Sequence, residues 1–299
     1  MKQIQRFRSI AWVVLLAMAL AGCTREEPTQ HAQNAYEQVR KNFSSQQAFA
    51  FYGRTKLVTG QTANGNVVNF SGQKQGDDIY LNVKLSAPER KRIETLSLLA
   101  RREQLFAQDG NQGNWVPVNQ QDVALQQEFN NWNPVFTFKQ VDQMKKEIVP
   151  IEDRRPDDEL EAVRVLLDSD KLKTWLAKQL KQQARSQALS THALAAHTPR
   201  HKWALSLSDD DWKRFAQGAR VQAAETNGDI DQLIDRMELE AECTIYYNRD
   251  TMLPSSTVMT IRSAYDLHNQ RIQEHTQVET FLQNYGRYFQ TSPANGATR

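Results

Sequence analysis

The stretch NVVNFSGQKQGDDIYLNVKL, residues 66–85, decides the fold. Within it Ile79, Leu81, Val83 and Leu85 alternate with Tyr80, Asn82 and Lys84. A period of two puts the aliphatic side chains on one face of a strand and the polar ones on the other, so the sheet is buried on one side and wet on the other. Gly76-Asp77-Asp78 supplies a tight turn, and residues 66–74 read as the antiparallel partner.

The same period extends upstream. Phe49, Phe51, Thr55 and Leu57 alternate with Ala50, Tyr52, Arg54 and Lys56 until the turn-rich residues 60–65 end the run. Downstream, residues 92–101 read as a strand, although Pro88-Glu89 leaves open a helix carrying Ile93 and Leu96. The strand reading is preferred because REQLFAQDGNQGNWVPV, residues 102–118, continues as a meander of short strands.

From residue 119 to 147 the period moves toward 3.6. Val123, Leu125 and Phe129, then Phe136, Phe138, Val141 and Met144 beyond Pro134, predict one or two helices. Residues 148–151 and 160–167 return to strand around a charged, solvated loop. Leu172, Trp175, Leu176 and Leu180 then form one helical stripe behind Asp168-Ser169-Asp170, an N-cap cluster. A second helix begins at the capping box Ser208-Asp209-Asp210-Asp211 ahead of Trp212, Phe215 and Ala219, and Ile230, Leu233, Ile234 and Met237 extend the helical region after Gly228. Strands near residues 238–247, 255–264 and 270–282 close the chain. Inside the first of these, Cys243 points inward beside Leu239 and Ala241 as a structural thiol.

This order of strands, helices, strands, helices and strands predicts an α+β fold. Its centre is one large curved antiparallel sheet, an incomplete β-barrel, with helices packed on one face as a lid. The single domain spans residues 35–290, preceded by a signal peptide (1–22) and a flexible tether (23–34) and followed by a disordered tail (291–299). A split near residue 190 is the alternative.

The 299 residues are 39% hydrophobic and 24% charged, which excludes a disordered chain and a multispan membrane protein. Lys2, Arg6 and Arg8 precede the apolar run IAWVVLLAMALA, residues 10–21. That run falls short of the roughly 20 helical residues a hydrocarbon core requires, and with its basic start it reads as a secretory signal. Leu20-Ala21-Gly22-Cys23 looks like the bacterial lipobox, which makes Cys23 the lipidation site and the mature N-terminus; a short anchor with an incidental cysteine is the other reading. Thr24, where an acid would signal inner-membrane retention, favours the outer membrane of a cell that has two. Without the three leader cations, 34 basic residues face 35 acidic ones, too even a balance to hold a polyphosphate backbone, so nucleic acid is not an expected partner. The expected attachment is to a membrane, through the N-terminal acyl chains. With Cys23 lipidated, Cys243 has no disulfide partner, and stability must come from the core.

No catalytic or cofactor motif emerges. The Gly-x-Ser-x-Gly elbow, the P-loop and the dinucleotide glycine pattern are absent. His192, His197 and His201 are interrupted by Pro199 and read as a solvated loop rather than a zinc site. Glu238, Glu240 and Glu242 share one side of a strand and read as its wet face rather than a catalytic pair. What remains is shape: a curled sheet roofed by helices can enclose an apolar cavity for acyl chains. The residues that would line it are Phe49, Phe51, Ile79, Leu81, Val83 and Leu85 of the sheet and Trp175, Leu176, Trp212 and Phe215 of the helices. The competing reading is that the same residues simply fill a core.

The short first helix, the strand at residues 47–58, the stretch at 66–85, the hairpin at 102–118 and the late YYNRDTMLPSSTVMTI, residues 246–261, together resemble the lipoprotein-carrier superfamily. That superfamily includes the LolA and LolB carriers and the mycobacterial LppX-type lipoproteins. The resemblance implies an open barrel that holds a lipid or an acylated protein, or a sensor of envelope lipoproteins, with no enzymatic activity and no cofactor. LolA-type carriers are soluble, whereas a lipidated Cys23 would tether this chain permanently. The resemblance therefore points to a stationary acceptor, lipid-binding lipoprotein or sensor.

Overall fold

In the computed structural model, which describes residues 28–59, 67–87, 92–109, 114–119, 123–151, 159–193, 226–267 and 270–288, the alternating segments pair into one antiparallel sheet. Six strands come first: β1 (Ala48–Thr59), β2 (Val67–Gln75), β3 (Asp78–Ala87), β4 (Arg92–Arg101), β5 (Gln104–Asp109) and β6 (Val116–Pro117). Five follow: β7 (Lys145–Pro150), β8 (Leu160–Leu167), β9 (Glu238–Asn248), β10 (Leu253–Leu267) and β11 (Gln270–Gln283). Each set is a meander, and β1 lies against β11, which gives the order β6-β5-β4-β3-β2-β1-β11-β10-β9-β8-β7. The sheet does not close, as the sequence predicts. Its free edges are β6, two residues long with Pro117, and β7, which carries Lys145, Lys146, Glu147 and Pro150. A short proline edge and a charged edge both discourage the addition of a foreign strand.

Five helices are described: α1 (Pro28–Ser44), α2 (Val123–Trp132), α3 (Pro134–Met144), α4 (Ser169–Ala193) and α5 (Thr226–Arg236). The chain leaves the sheet at β6, passes through α2 and α3, and re-enters at the opposite edge, β7. Between those helices Asn133 is the N-cap of α3; its side chain accepts the Val135 N–H at 3.0 Å, while Pro134 has no N–H to leave unpaired. The expected cap of α4 is present too. Asp168 Oδ1 accepts the N–H groups of Asp170 and Lys171, each at 3.0 Å.

Two boundaries differ from the sequence reading. Helix α1 starts at Pro28 rather than at residue 35 and takes in residues assigned to the flexible tether. Pro28 marks a first helical turn, where its fixed φ is an advantage, and Ala32 carries the buried stripe of Ala35, Tyr36, Val39 and Phe43 one turn back. Strand β7 starts at Lys145 rather than at residue 148, because Lys145 has left helical backbone (φ −57, ψ 135) and pairs with Leu167. Cys23, the run at 10–21, the helix expected from Ser208 and the tail at 291–299 lie outside the described residues.

The core lies between the helices and one face of the sheet. Phe43 of α1 packs on Phe49 at 5.1 Å and on Phe138 of α3 at 4.4 Å between ring centroids, and Phe49 continues to Phe51 and Tyr285. Two glycines make room for this layer. Gly53 stands opposite Phe70 and Gly72 opposite Phe51; a Cβ at either would collide with the facing ring and with a neighbouring backbone carbonyl. Each ring lies across the bare backbone of the next strand. Cys243 is buried beside Leu239 and Ala241, as expected, and burial pushes its thiol up to about 12, which suits a packing residue and not a nucleophile.

A network of charges fixes α1 across the end of this core. Lys145 Nζ donates to Glu37 Oε1 at 2.8 Å and to Asp142 Oδ1 at 2.9 Å, and Arg40 Nη2 donates to Glu37 Oε2 at 2.7 Å. The hydrogen bond from Lys145 holds the Glu37 carboxyl below its ordinary value.

Candidate hydrophobic binding face

Strand register assigns each side chain to a face. Phe49, Phe51, Thr55 and Leu57 of β1 share the helix-facing side with Phe70 and Val68 of β2, and through them with Ile79, Leu81 and Val83 of β3. On the other half of the sheet the same side carries Val278 of β11, Met259 and Ile261 of β10, and Cys243 and Ala241 of β9. The alternation read in the sequence therefore places its apolar residues on one concave face.

That face is not uniform. Phe49, Leu81 and Val83 are 0% exposed, Phe51 2% and Ile79 9%. A side chain with no accessible surface touches no space large enough for a water, so the protein's own residues have filled this part. Trp132 of α2 completes the seal: it lies over Phe70 with ring centroids 6.4 Å apart, and its Nε1 donates to the buried Thr55 hydroxyl at 3.1 Å. Leu85 pairs with Val68 on the same ladder. Trp212 and Phe215 lie outside the described residues.

On β10 and β11 the covering thins. Met259, Ile261, Tyr265 and Val278 are half-buried and pack against the core. Register places Met259 beside Val278, and Tyr265 beside Ile272. Trp175, Leu176 and Leu180 of α4 and Ile230 of α5 are half-buried in the same way. Of the expected lining residues, then, Trp175 and Leu176 belong to partly open surface while the five phenylalanine and aliphatic positions of β1 and β3 belong to the filled part.

Met259, Ile261, Tyr265 and Val278 were missed in the sequence. Their strand was legible, and Met259 and Ile261 show the period-two spacing. Which strand the helices leave uncovered depends on contacts from segments far away in the chain, and no local pattern encodes it.

The electrostatics around this face offer no catalytic constellation. Among the described residues, no group of three or more His, Cys, Asp and Glu side chains is placed to hold a metal ion. Glu238 and Glu240 are exposed and Glu242 is half-buried on the convex side, where Glu238 accepts from Arg271 at 2.6 Å. That is the wet face expected of them. Between α4 and α5 a hollow of about 560 Å³ is lined by Lys173, Lys178 and Lys181 and by Asp170, Asp231 and Asp235, with Ala177 and Ile234 among its walls. Its charges balance and Lys181 bonds Asp231, so it is a polar cleft between helices and not the apolar chamber.

No protein-family model matches the chain, and no curated protein matches it. Among solved structures it is similar to LprF from Mycobacterium bovis, with a TM-score of 0.38, 10% identity and coverage of 89% of this chain and 98% of that one. It is also similar to the lipoprotein LppX from Mycobacterium tuberculosis (TM-score 0.38, 5% identity, 88% and 98% covered). A LolA superfamily protein from Nitrosomonas europaea is similar at TM-score 0.29 and 7% identity, with 88% and 96% covered. The open eleven-stranded antiparallel sheet is established by the strand pairing itself.

Proposed function

We propose that this chain is a membrane-tethered, non-enzymatic lipoprotein of the cell envelope. It holds a hydrophobic ligand, a lipid or the acyl chains of an acylated protein, against the half-open part of its concave face. The carrying observation is the half-burial of Met259, Ile261, Tyr265 and Val278 on a face that is elsewhere sealed. Covering that surface with hydrocarbon releases roughly 25 cal/mol per Å² of apolar area removed from water. The anchor in this reading is Cys23, whose two or more acyl chains hold a bilayer stably where one does so only marginally. None of the described helices is long and apolar enough to cross a membrane.

The test is native mass spectrometry of the gently extracted protein, together with uptake of a fluorescent fatty acid. A co-purifying lipid is expected, and Met259→Gln with Ile261→Asn is expected to abolish uptake in a chain that still folds, as its cooperative unfolding transition checks. Repeated absence of lipid with no uptake would defeat the proposal. A second reading, a ligand-free scaffold or sensor, is favoured by the complete filling around Phe49, Leu81 and Val83. On that reading the Met259 and Ile261 variants change nothing but stability.

A further inference from the structure

Beyond Met259 and Val278 the concave face changes chemistry. Register sets its rows there: Met259 lies opposite Val278, Ile261 opposite Thr276, Ser263 opposite Glu274 and Tyr265 opposite Ile272. Glu274 precedes Thr276 and Val278 at a spacing of two, so it stands on their face and not with Arg262 and His275, which pair on the convex side. Every side chain of these four rows is half-buried. Glu274 is the one carboxylate at a described concave position of β1, β9, β10 and β11. Glu238, Glu240 and Glu242 of β9, Asp266 of β10 and Glu279 of β11 all belong to the convex side.

A carboxylate among half-buried apolar side chains discriminates between the polar ends of whatever alkyl chain covers them. It repels a second anion, and a donor that brings its own positive charge makes the strongest hydrogen bond with it. A carboxylate has about four acceptor sites, so a donor from the protein and a donor from a ligand can share it. Tyr265 adds a second attraction for a cation. It is the diagonal neighbour of Glu274 across the β10–β11 ladder, a separation that aromatic side chains span, and the face of a tyrosine ring attracts an ammonium group. From Glu274 to Val278 is four residues, about 13 Å of strand, along which Ile261 and Met259 give an alkyl chain an apolar floor.

We infer that Glu274, with Tyr265 beside it, receives a cationic head group, so that the ligand of this face is an amine-bearing lipid whose alkyl chain runs from Glu274 along Ile261 toward Met259 and Val278. This rests on the hydrophobic-ligand reading above. It deepens that reading by naming the charge of the ligand's polar end and the direction in which the ligand lies.

The experiment compares two fluorescent probes with the same alkyl tail, one ending in a primary amine and one in a carboxylic acid, for uptake by the full chain at neutral pH. The amine should bind about tenfold more tightly than the acid. Glu274→Gln, nearly unchanged in size, should bring the two affinities together through a loss on the amine, and Glu274→Lys should make the acid the tighter ligand. Glu240→Gln removes the same charge from an exposed convex position and should keep the parent's ratio. Equal affinities in the parent chain, which needs no variant to fold, would overturn the inference. So would an amine preference that persists in both Glu274 variants, or one that is lost equally in Glu240→Gln. Each of these leaves the hydrophobic-ligand reading standing. Uptake of neither probe by the parent would defeat that reading, and the choice of head group with it.

Discussion

One concave face has two ends with opposite properties. Around Phe49, Phe51 and Phe70 the face is filled by Phe43 of α1, Trp132 of α2 and Phe138 of α3. Around Met259, Ile261 and Val278 the same alternation of apolar side chains is only half-buried. The two ends share one sheet, one face of it and the period of two. They differ in what packs on them: Phe43 of α1 and Trp132 of α2 lie on Phe49 and Phe70, while α4 and α5 meet β9 and β10. A half-barrel of this kind gains stability where its roof is complete and keeps binding surface where it is not.

The largest expected effect comes from emptying the filled end. Phe49→Ala should lower stability by about 3–5 kcal/mol in denaturant unfolding, whereas Met259→Ala should cost less, because Met259 is only partly buried. Equal losses would erase the distinction between the two ends. Gly72→Ala comes next, at about 2 kcal/mol or more, since the new methyl meets the Phe51 ring and the Tyr80 carbonyl, and a carbonyl in a ladder cannot step aside. Trp132→Phe keeps most of the apolar contact but strips the buried Thr55 hydroxyl of its donor; about 1–2 kcal/mol is expected from the same measurement.

The smallest effect is electrostatic. Glu37 titrates below its ordinary value of 4.5, so the stability it contributes is fully present above that pH and fades as acid protonates it in the folded state. Lys145 titrates above its ordinary 10.5 because the bonds to Glu37 and Asp142 outweigh its loss of hydration, and its contribution is complete below that value and lost as pH rises past it. Both partners are a third or more exposed, so solvent screens the clamp. Unfolding midpoints followed from pH 7 to 3 should drop less in Glu37→Gln than in the parent chain. An unchanged pH dependence would show that α1 is held by Tyr36, Val39 and Phe43 alone.

The strands could be read one at a time because a strand buried on one face announces itself every second residue. Ile79, Leu81 and Val83 needed no other part of the chain to show which way they point. The caps of α3 and α4 were similarly local, since Asn133 before Pro134, and Asp168 before the stripe of Leu172 and Leu176, act on N–H groups two or three residues away. The start of α1 was misread because a proline that opens a helix and a proline that interrupts a tether look alike until Ala32 is seen against the core.

Sequence by itself determined the period of each segment, the meander order and the inward thiol of Cys243, because each of these depends on neighbours a few positions apart. Tertiary structure alone decided that β1 meets β11, that Phe70 and Phe51 lie across Gly53 and Gly72, and that the apolar side chains of β1 to β3 are sealed while part of β10 and β11 is only half-buried. Those outcomes depend on which distant apolar surfaces find each other. That is a property of the whole packed volume, and nothing in a local window of sequence carries it.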